Sequence, residues 1–521
     1  MTQAVLEAEK QEVEVRLETS QTRPGNDISP AVYTMFIVVL TLAATAIRFY
    51  HLTDRSLWID EGASYILTQL SWPKFFYAVR TCMAEMSFYY FVLRLWTYLG
   101  TSETALRSLS VLFSVATVPL IGLLGRKLYS RKAGVIAAAI FSFHAWNIHF
   151  AQEARSYPLL SLLVVISWLI LIQIIEKPSI KYWAWFSVIT VLECNTHFLG
   201  ILNLAAQFVS LLFIFSSKEQ YKQALRSAFW VVLGCIPAAM YIFQTRGQSI
   251  GWIQPTNESV VQEFIDNVTG WWSSGYEIFF FLGLLVPLSY IALKALVRNG
   301  RGWDSWTASV APFGVLVPFF GLMLISIVHH AFLPRYLQFL IVPLALGVGY
   351  LCSQLSPKIW VISLILVSAF FLKPLPRYYR EPSFYNIRGA VNYIAQRAQP
   401  TDAVYMWEPL TRPAFQYYAE RTPGFPDIKF PKTADTFQIE DLWMRPDPYV
   451  TPGEMKAHDR IWVIYDFDMP AKEVGPVAYF YYVVAQTSGH KLKSQYHSQH
   501  VQVYEFVRDT PTSTPPVQSG N

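Results

Sequence analysis

Between Ala31 and Leu372 the chain returns again and again to apolar runs of membrane-spanning length. Crossing a bilayer as a helix takes ~20 such residues. Runs of this kind fall at 31–49, 105–124, 133–149, 157–175, 182–198, 199–216, 227–244, 276–297, 305–329, 336–352 and 358–373. In hydrocarbon every backbone polar group must be satisfied within the protein, which restricts such segments to helices. The pattern therefore predicts a multi-span α-helical membrane protein with about 11 transmembrane helices. Charged residues make up 15% of the chain, against roughly 25% in an average soluble domain. The net charge of +5 is scattered, and the basic, aromatic-interleaved patch that nucleic acid needs does not occur. Cys82, Cys194, Cys235 and Cys352 are far apart and read as small apolar residues, with neither disulfide nor zinc spacing.

Charge bias orients the spans. Arg126, Lys127, Arg131, Lys132, Lys177, Lys181, Lys218, Lys222, Arg226, Lys294, Arg298, Arg301 and Lys358 all fall in loops of one side if 86–99 does not cross. Basic short loops face the cytoplasm. Segment 86–99 is therefore expected to lie on the surface, as its aromatic residues and Arg94 allow. Residues 1–30 become a polar cytoplasmic N-terminus ahead of an uncleaved signal anchor. Residues 31–373 form the transmembrane domain, with outer loop and interfacial helices at 50–104. Beyond the last run, charge and proline return. A helical pattern at 386–398 and strand patterns at 402–407, 460–466 and 500–507 predict an extracytoplasmic α/β domain over 374–509. Residues 510–521, rich in Pro, Ser and Thr, read as a disordered tail. The expected location is the cell (inner) membrane.

Three elements on the expected outer side carry chemistry. Asp60 and Glu61 follow Trp58 just beyond the first span. Carboxylates at that depth are costly and are functional candidates, although a helix N-terminus explains them too. The turn Gln152-Glu153-Ala154-Arg155-Ser156-Tyr157-Pro158 packs a carboxylate, a guanidinium and a phenol between two spans. A helix starting at Tyr157-Pro158 would let Arg155 and its N-terminus receive an anion. Third, Pro334-Arg335-Tyr336-Leu337 opens a late span with one cation, which could snorkel to headgroups or hold a lipid-linked phosphate. Trp252, Trp271, Trp272 and Tyr276 in the 245–275 loop fit an interfacial aromatic belt or sugar stacking.

Taken in order, Leu57-Trp58-Ile59-Asp60-Glu61, Gln152-Glu153-Ala154-Arg155-Ser156-Tyr157 and Pro334-Arg335-Tyr336-Leu337 resemble the GT-C-fold glycosyltransferases of the protein O-mannosyltransferase and aminoarabinose-transferase superfamily, in its broad bacterial branch. The resemblance covers roughly residues 31–372. Leu93–Trp96 and Glu103–Arg107 also fit the pattern. One departure is that Glu85-Met86-Ser87 stands where many relatives carry a basic residue before proline.

The resemblance implies a polyprenyl-phosphate-linked sugar donor, a lipid, glycan or protein acceptor, and inverting transfer at the outer face of the lipid bilayer. On this reading Asp60 is the base for the acceptor hydroxyl, Glu61 and Glu153 complete the catalytic carboxylates, and Arg155, Tyr157, Arg335, Tyr336 and Trp58 bind substrate. A metal is unknown from sequence; Asp60 and Glu153 are the carboxylates a divalent cation would take. The alternative class is a multi-span envelope transporter or lipid flippase. It calls for ionisable residues near the midplane and related halves, whereas the acidic groups here gather at one face.

Overall fold

The computed structural model describes residues 27–244, 253–270, 276–380, 385–406, 412–423, 425, 456–466, 487–498 and 501–508. The predicted N-terminal segment up to residue 26, Trp252, Trp271, Trp272 and the 510–521 tail lie outside them. The chain divides into two units, Met1–Leu52 with Phe76–Glu381 and Thr53–Phe75 with Pro382–Asn521.

In the first unit each of the eleven apolar runs is helical. Among the described residues eight helices are long and apolar enough to cross a membrane: Pro30–Phe49, Glu103–Leu128, Tyr157–Glu176, Lys218–Gln244, Glu277–Asn299, Trp303–His329, Pro334–Ser353 and Pro357–Arg380. The run expected at 133–149 is two helices, Arg131–Phe143 and Ala145–Ala151, bent by 61° at His144. The runs at 182–198 and 199–216 form shorter helices, Ile180–Thr196 and Gly200–Leu211. They are parted at His197, where the backbone becomes extended. Ser87–Trp96 is a helix of 10 residues, too short to span. The expected 245–275 loop contains a helix at Glu258–Thr269, capped by the Asn257 side chain on Val260 N at 3.0 Å.

The bend at His144 frees carbonyls that no water can satisfy in an apolar interior. Arg48, fully buried near the end of the first span, supplies the donors. Its Nη2 bonds Phe141 O at 3.0 Å, its Nη1 bonds Ser142 O at 2.9 Å, and its Nε bonds Ser114 Oγ at 2.8 Å. A cation at a helix C-terminus also meets the negative end of its dipole. Asn147 adds a second donor to Phe141 O at 2.7 Å and accepts from Gln338 Nε2 at 2.9 Å. Gln338 in turn accepts from Ser161 Oγ at 2.8 Å. One buried network thus joins the bent pair, the Tyr157–Glu176 helix and the short 3₁₀ segment Pro334–Leu340.

The second unit is an α/β domain with a four-stranded sheet of order β1-β2-β4-β3, where β1 is Ala403–Met406, β2 Arg460–Asp466, β3 His490–His497 and β4 Val501–Arg508. β1 pairs parallel to β2; the other pairs are antiparallel. The three predicted strands are present and β3 is an addition. Its sequence is polar and mostly exposed, as a sheet edge tolerates, so it lacks the apolar alternation that marks an inner strand.

Residues 53–75 were expected within the transmembrane domain; they pack instead with the sheet unit. Ser56 hydroxyl donates to Tyr385 O, Leu57 N to Tyr418 Oη at 2.6 Å, and Arg388 Nη2 to Thr53 O at 2.6 Å. The helix Ile59–Gln69 lies against Arg412–Ala419 so closely that a Cβ on Gly62 would sit 2.6 Å from Ala414 N.

Two stability outcomes follow from this packing. Arg48→Met leaves buried carbonyls with fewer donors and is expected to cost about 3 kcal/mol, read as a lowered Tm in detergent. Gly62→Ala forces backbone apart and is expected to cost about 1–3 kcal/mol, read the same way.

Candidate active site

The turn after the bent pair is held from both sides. Gln152 Nε2 donates to Arg48 O at 3.0 Å and Tyr50 O at 2.8 Å, and its Oε1 accepts from Tyr378 Oη at 2.7 Å. Arg155 N folds back on Glu153 O at 2.9 Å, and Ser110 Oγ bonds Arg155 O at 3.1 Å. The next helix begins at Tyr157 with proline in its first turn, as expected.

Within this turn Glu153 pairs with His149, Oε1 to Nε2 at 3.1 Å. Burial pushes the Glu153 carboxyl up, but the His149 contact and the charges of Arg155 and Arg107 outweigh it and hold the group below the usual carboxylate range. Arg155 is buried and its Nη1 lies 3.4 Å from Tyr90 Oη.

His197, at the break between two short helices, gathers the remaining predicted residues of this unit. Its ring lies 5.8 Å from Tyr157 and 5.0 Å from Tyr336. The charges of both Arg155 and Arg335 reach it. Tyr157 and Tyr336, nearly two hundred positions apart in sequence, therefore meet at one imidazole, with Arg155 and Arg335 near enough for their charges to act on it. Two guanidinium groups beside aromatic rings can pair with an anion. Arg335 also acts on Glu263 of the Glu258–Thr269 helix, whose carboxyl burial pushes up.

Sequence reasoning gave no role to His197 or His149, and singled out Arg107 and Glu85 only as a match to the family pattern and a departure from it. The Asn195-Thr196-His197 break inside a long apolar stretch was the available signal for the first. Glu85 sits in the 3₁₀ turn Ala84–Met86, brought to the Arg155 turn by Ser156 Oγ on Met86 Sδ at 3.4 Å. Burial pushes its carboxyl up to about 7, against the pull of its own backbone N–H and of Arg155.

Trp58, Asp60 and Glu61 belong to the other unit. Both carboxylates stand in the first turn of Ile59–Gln69, where the helix dipole favours them. They are not equivalent. Glu61 is fully buried and its Oε2 accepts from Trp58 N at 3.4 Å, whereas Asp60 is half-buried. Trp58 stacks on Tyr385 with ring centroids 6.2 Å apart. Among the described residues no group of three or more His, Cys, Asp or Glu could hold a metal.

Comparison with solved structures decides the fold. ArnT from Cupriavidus metallidurans in the apo state superposes with a TM-score of 0.57 at 12% identity, over 91% of this chain and 98% of that one. The chain has the GT-C fold. The same protein bound to undecaprenyl phosphate gives a TM-score of 0.53 at 12% identity with the same coverage. The apo oligosaccharyltransferase of Archaeoglobus fulgidus gives 0.51 at 10% identity, over 94% of this chain and 76% of that one. Residues 87–243 match the family model described as dolichyl-phosphate-mannose-protein mannosyltransferase. No curated protein matches the sequence. In this GT-C chain the matched stretch contains Glu153, Arg155, Tyr157 and His197.

The Glu153 pairing gives a pH test. Its carboxyl titrates lower in the folded than in the unfolded chain, so its stabilisation is complete above the ordinary carboxylate range and lost as pH falls below it. Glu153→Gln is expected to melt below the wild type at neutral pH, with the two Tm values converging as the pH is lowered through about 4.

Proposed function

We propose that the protein is a membrane glycosyltransferase that moves a hexose or pentose from a polyprenyl-phosphate donor to an acceptor hydroxyl or amine. The observation that carries this reading is the meeting of Tyr157 and Tyr336 at His197, within reach of the charges of Arg155 and Arg335. The GT-C fold supports it, as does undecaprenyl phosphate bound to the structurally similar ArnT.

The chemistry assigns itself by charge. The acceptor oxygen attacks the anomeric carbon opposite the phosphate, so the configuration inverts. The bond from that carbon to the phosphate oxygen breaks, and polyprenyl phosphate leaves with the electron pair. A phosphate leaving group needs no proton, but it needs positive charge in place as the bond opens. Arg155 and Arg335 supply it. The acceptor proton passes to Asp60, assigned from its motif and from the commitment of Glu61 to the helix cap, which leaves Asp60 the more accessible carboxylate. Glu153 holds His149 and offsets the local excess of cations. We assign the reaction to the extracytoplasmic face of the cell membrane from the distribution of Lys and Arg along the chain. A divalent-cation requirement is part of the same proposal, checked by activity in EDTA.

Purified protein with radiolabelled polyprenyl-phosphate sugars and envelope extract tests it. Arg155→Ala or Arg335→Ala is expected to lower transfer by about 10²–10³-fold, and Asp60→Asn by about 10²–10⁴-fold. Equal transfer by Asp60→Asn and wild type would remove Asp60 from its role. Absence of transfer from every donor would sink the enzyme reading.

A further inference from the structure

The Arg155 pocket contains a carboxyl group that the transfer chemistry does not use. Glu85 is half-buried, and its Oε2 is sealed from solvent with no hydrogen-bond partner among the described residues. A buried charged oxygen left in that state is expensive. The group is nonetheless fixed there. The Ala84–Met86 turn packs on Ile180–Thr196, Lys218–Gln244 and Ser87–Trp96, and Ser87 Oγ bonds Asn195 Oδ1 at 3.3 Å. The buried ionisable groups of those helices are Glu193, Cys194, Cys235, Tyr241, Tyr89, Tyr90 and Arg94. The charge that acts on the Glu85 carboxyl is that of Arg155, from the adjoining turn.

An anion beside Arg155 does what a donor phosphate would do there. The two compete for one guanidinium, and two negative groups in a dry pocket repel. We propose that Glu85 is a proton-operated competitor for Arg155, so that the pocket takes up a proton when the donor's phosphate binds and returns it when the phosphate product leaves. The inference rests on the donor site proposed above. As a carboxylate, Glu85 balances Arg155 in the empty pocket. Once protonated, it releases Arg155 to the phosphate, and its O–H becomes a donor to a phosphate oxygen. The proton comes from solvent and no bond to carbon changes. Burial, which raises the carboxyl to about 7, puts this exchange in the range where an envelope enzyme works.

The test is binding of a short-chain polyprenyl phosphate methyl ester, whose single negative charge does not titrate near neutrality. Dissociation constants are measured at about pH 6 and about pH 8 for full-length wild type, Glu85→Gln and Glu85→Asp, each first shown by its melting curve to be folded. Wild type is expected to bind about tenfold more weakly at the higher pH. Glu85→Gln is expected to bind tightly at both, while Glu85→Asp, which still titrates, restores a pH slope. Equal affinity of the wild type at the two pH values overturns the proposal. So does a slope that survives in Glu85→Gln, which would belong to another group. If no variant binds the ester at any pH, the donor site itself falls. Binding without a Glu85-dependent slope removes Glu85 alone.

Discussion

A single buried cation underlies the geometry of the transmembrane unit. Arg48 is fully buried near the end of the first span, and it is kept there because the Arg131–Phe143 helix stops short and leaves carbonyls that need donors. Its donors and the helix dipole together offset the desolvation of the guanidinium. The bend it stabilises turns the chain so that Gln152 can bond back to Arg48 O and Tyr50 O, which presents Glu153, Arg155 and Tyr157 in one short turn. From Arg48 the polar network continues through Asn147 to Gln338 and Ser161. The turn that carries Arg155 is thus held by hydrogen bonds inside an otherwise apolar bundle.

Much of this was legible in the sequence because apolar length and charge bias are strong signals. The eleven runs, the helix start at Tyr157, the short Ser87–Trp96 helix and three of four strands are where their patterns put them. What the patterns did not carry is equally physical. A break at His144 has no proline or glycine to announce it; it exists because Arg48, nearly a hundred residues earlier, makes it affordable. β3 is an edge strand whose residues face solvent, so it leaves no periodic trace. His197 and Glu85 were given no role because neither follows a periodic pattern of its own, and only tertiary packing shows that both belong with Arg155. The attachment of 53–75 to the sheet unit was also beyond reach, since it depends on Tyr385, Arg388 and Tyr418, far along the chain.

The two adjacent acidic residues near the first span illustrate how one motif can serve two ends. Glu61 spends its carboxylate on the start of its own helix, and Gly62 lets that helix press against Ala414. Asp60, next to it, keeps partial access to solvent. The ordinary explanation, a helix N-terminus favouring acids, is correct for the pair as structure. It also gives Asp60 a rigid mount.

The 3₁₀ segment Pro334–Leu340 has a consequence for how this pocket can vary. Arg335 stands three residues before Gln338, across a kink at Leu337 (φ −105°, ψ 17°), and Gln338 is pinned on Asn147 and Ser161. The segment therefore acts as a ruler whose zero mark lies inside the bundle. One residue inserted between the two positions re-aims Arg335 while Gln338 stays anchored. Divergence in what the pocket accepts is consequently freer in side-chain identity than in chain length.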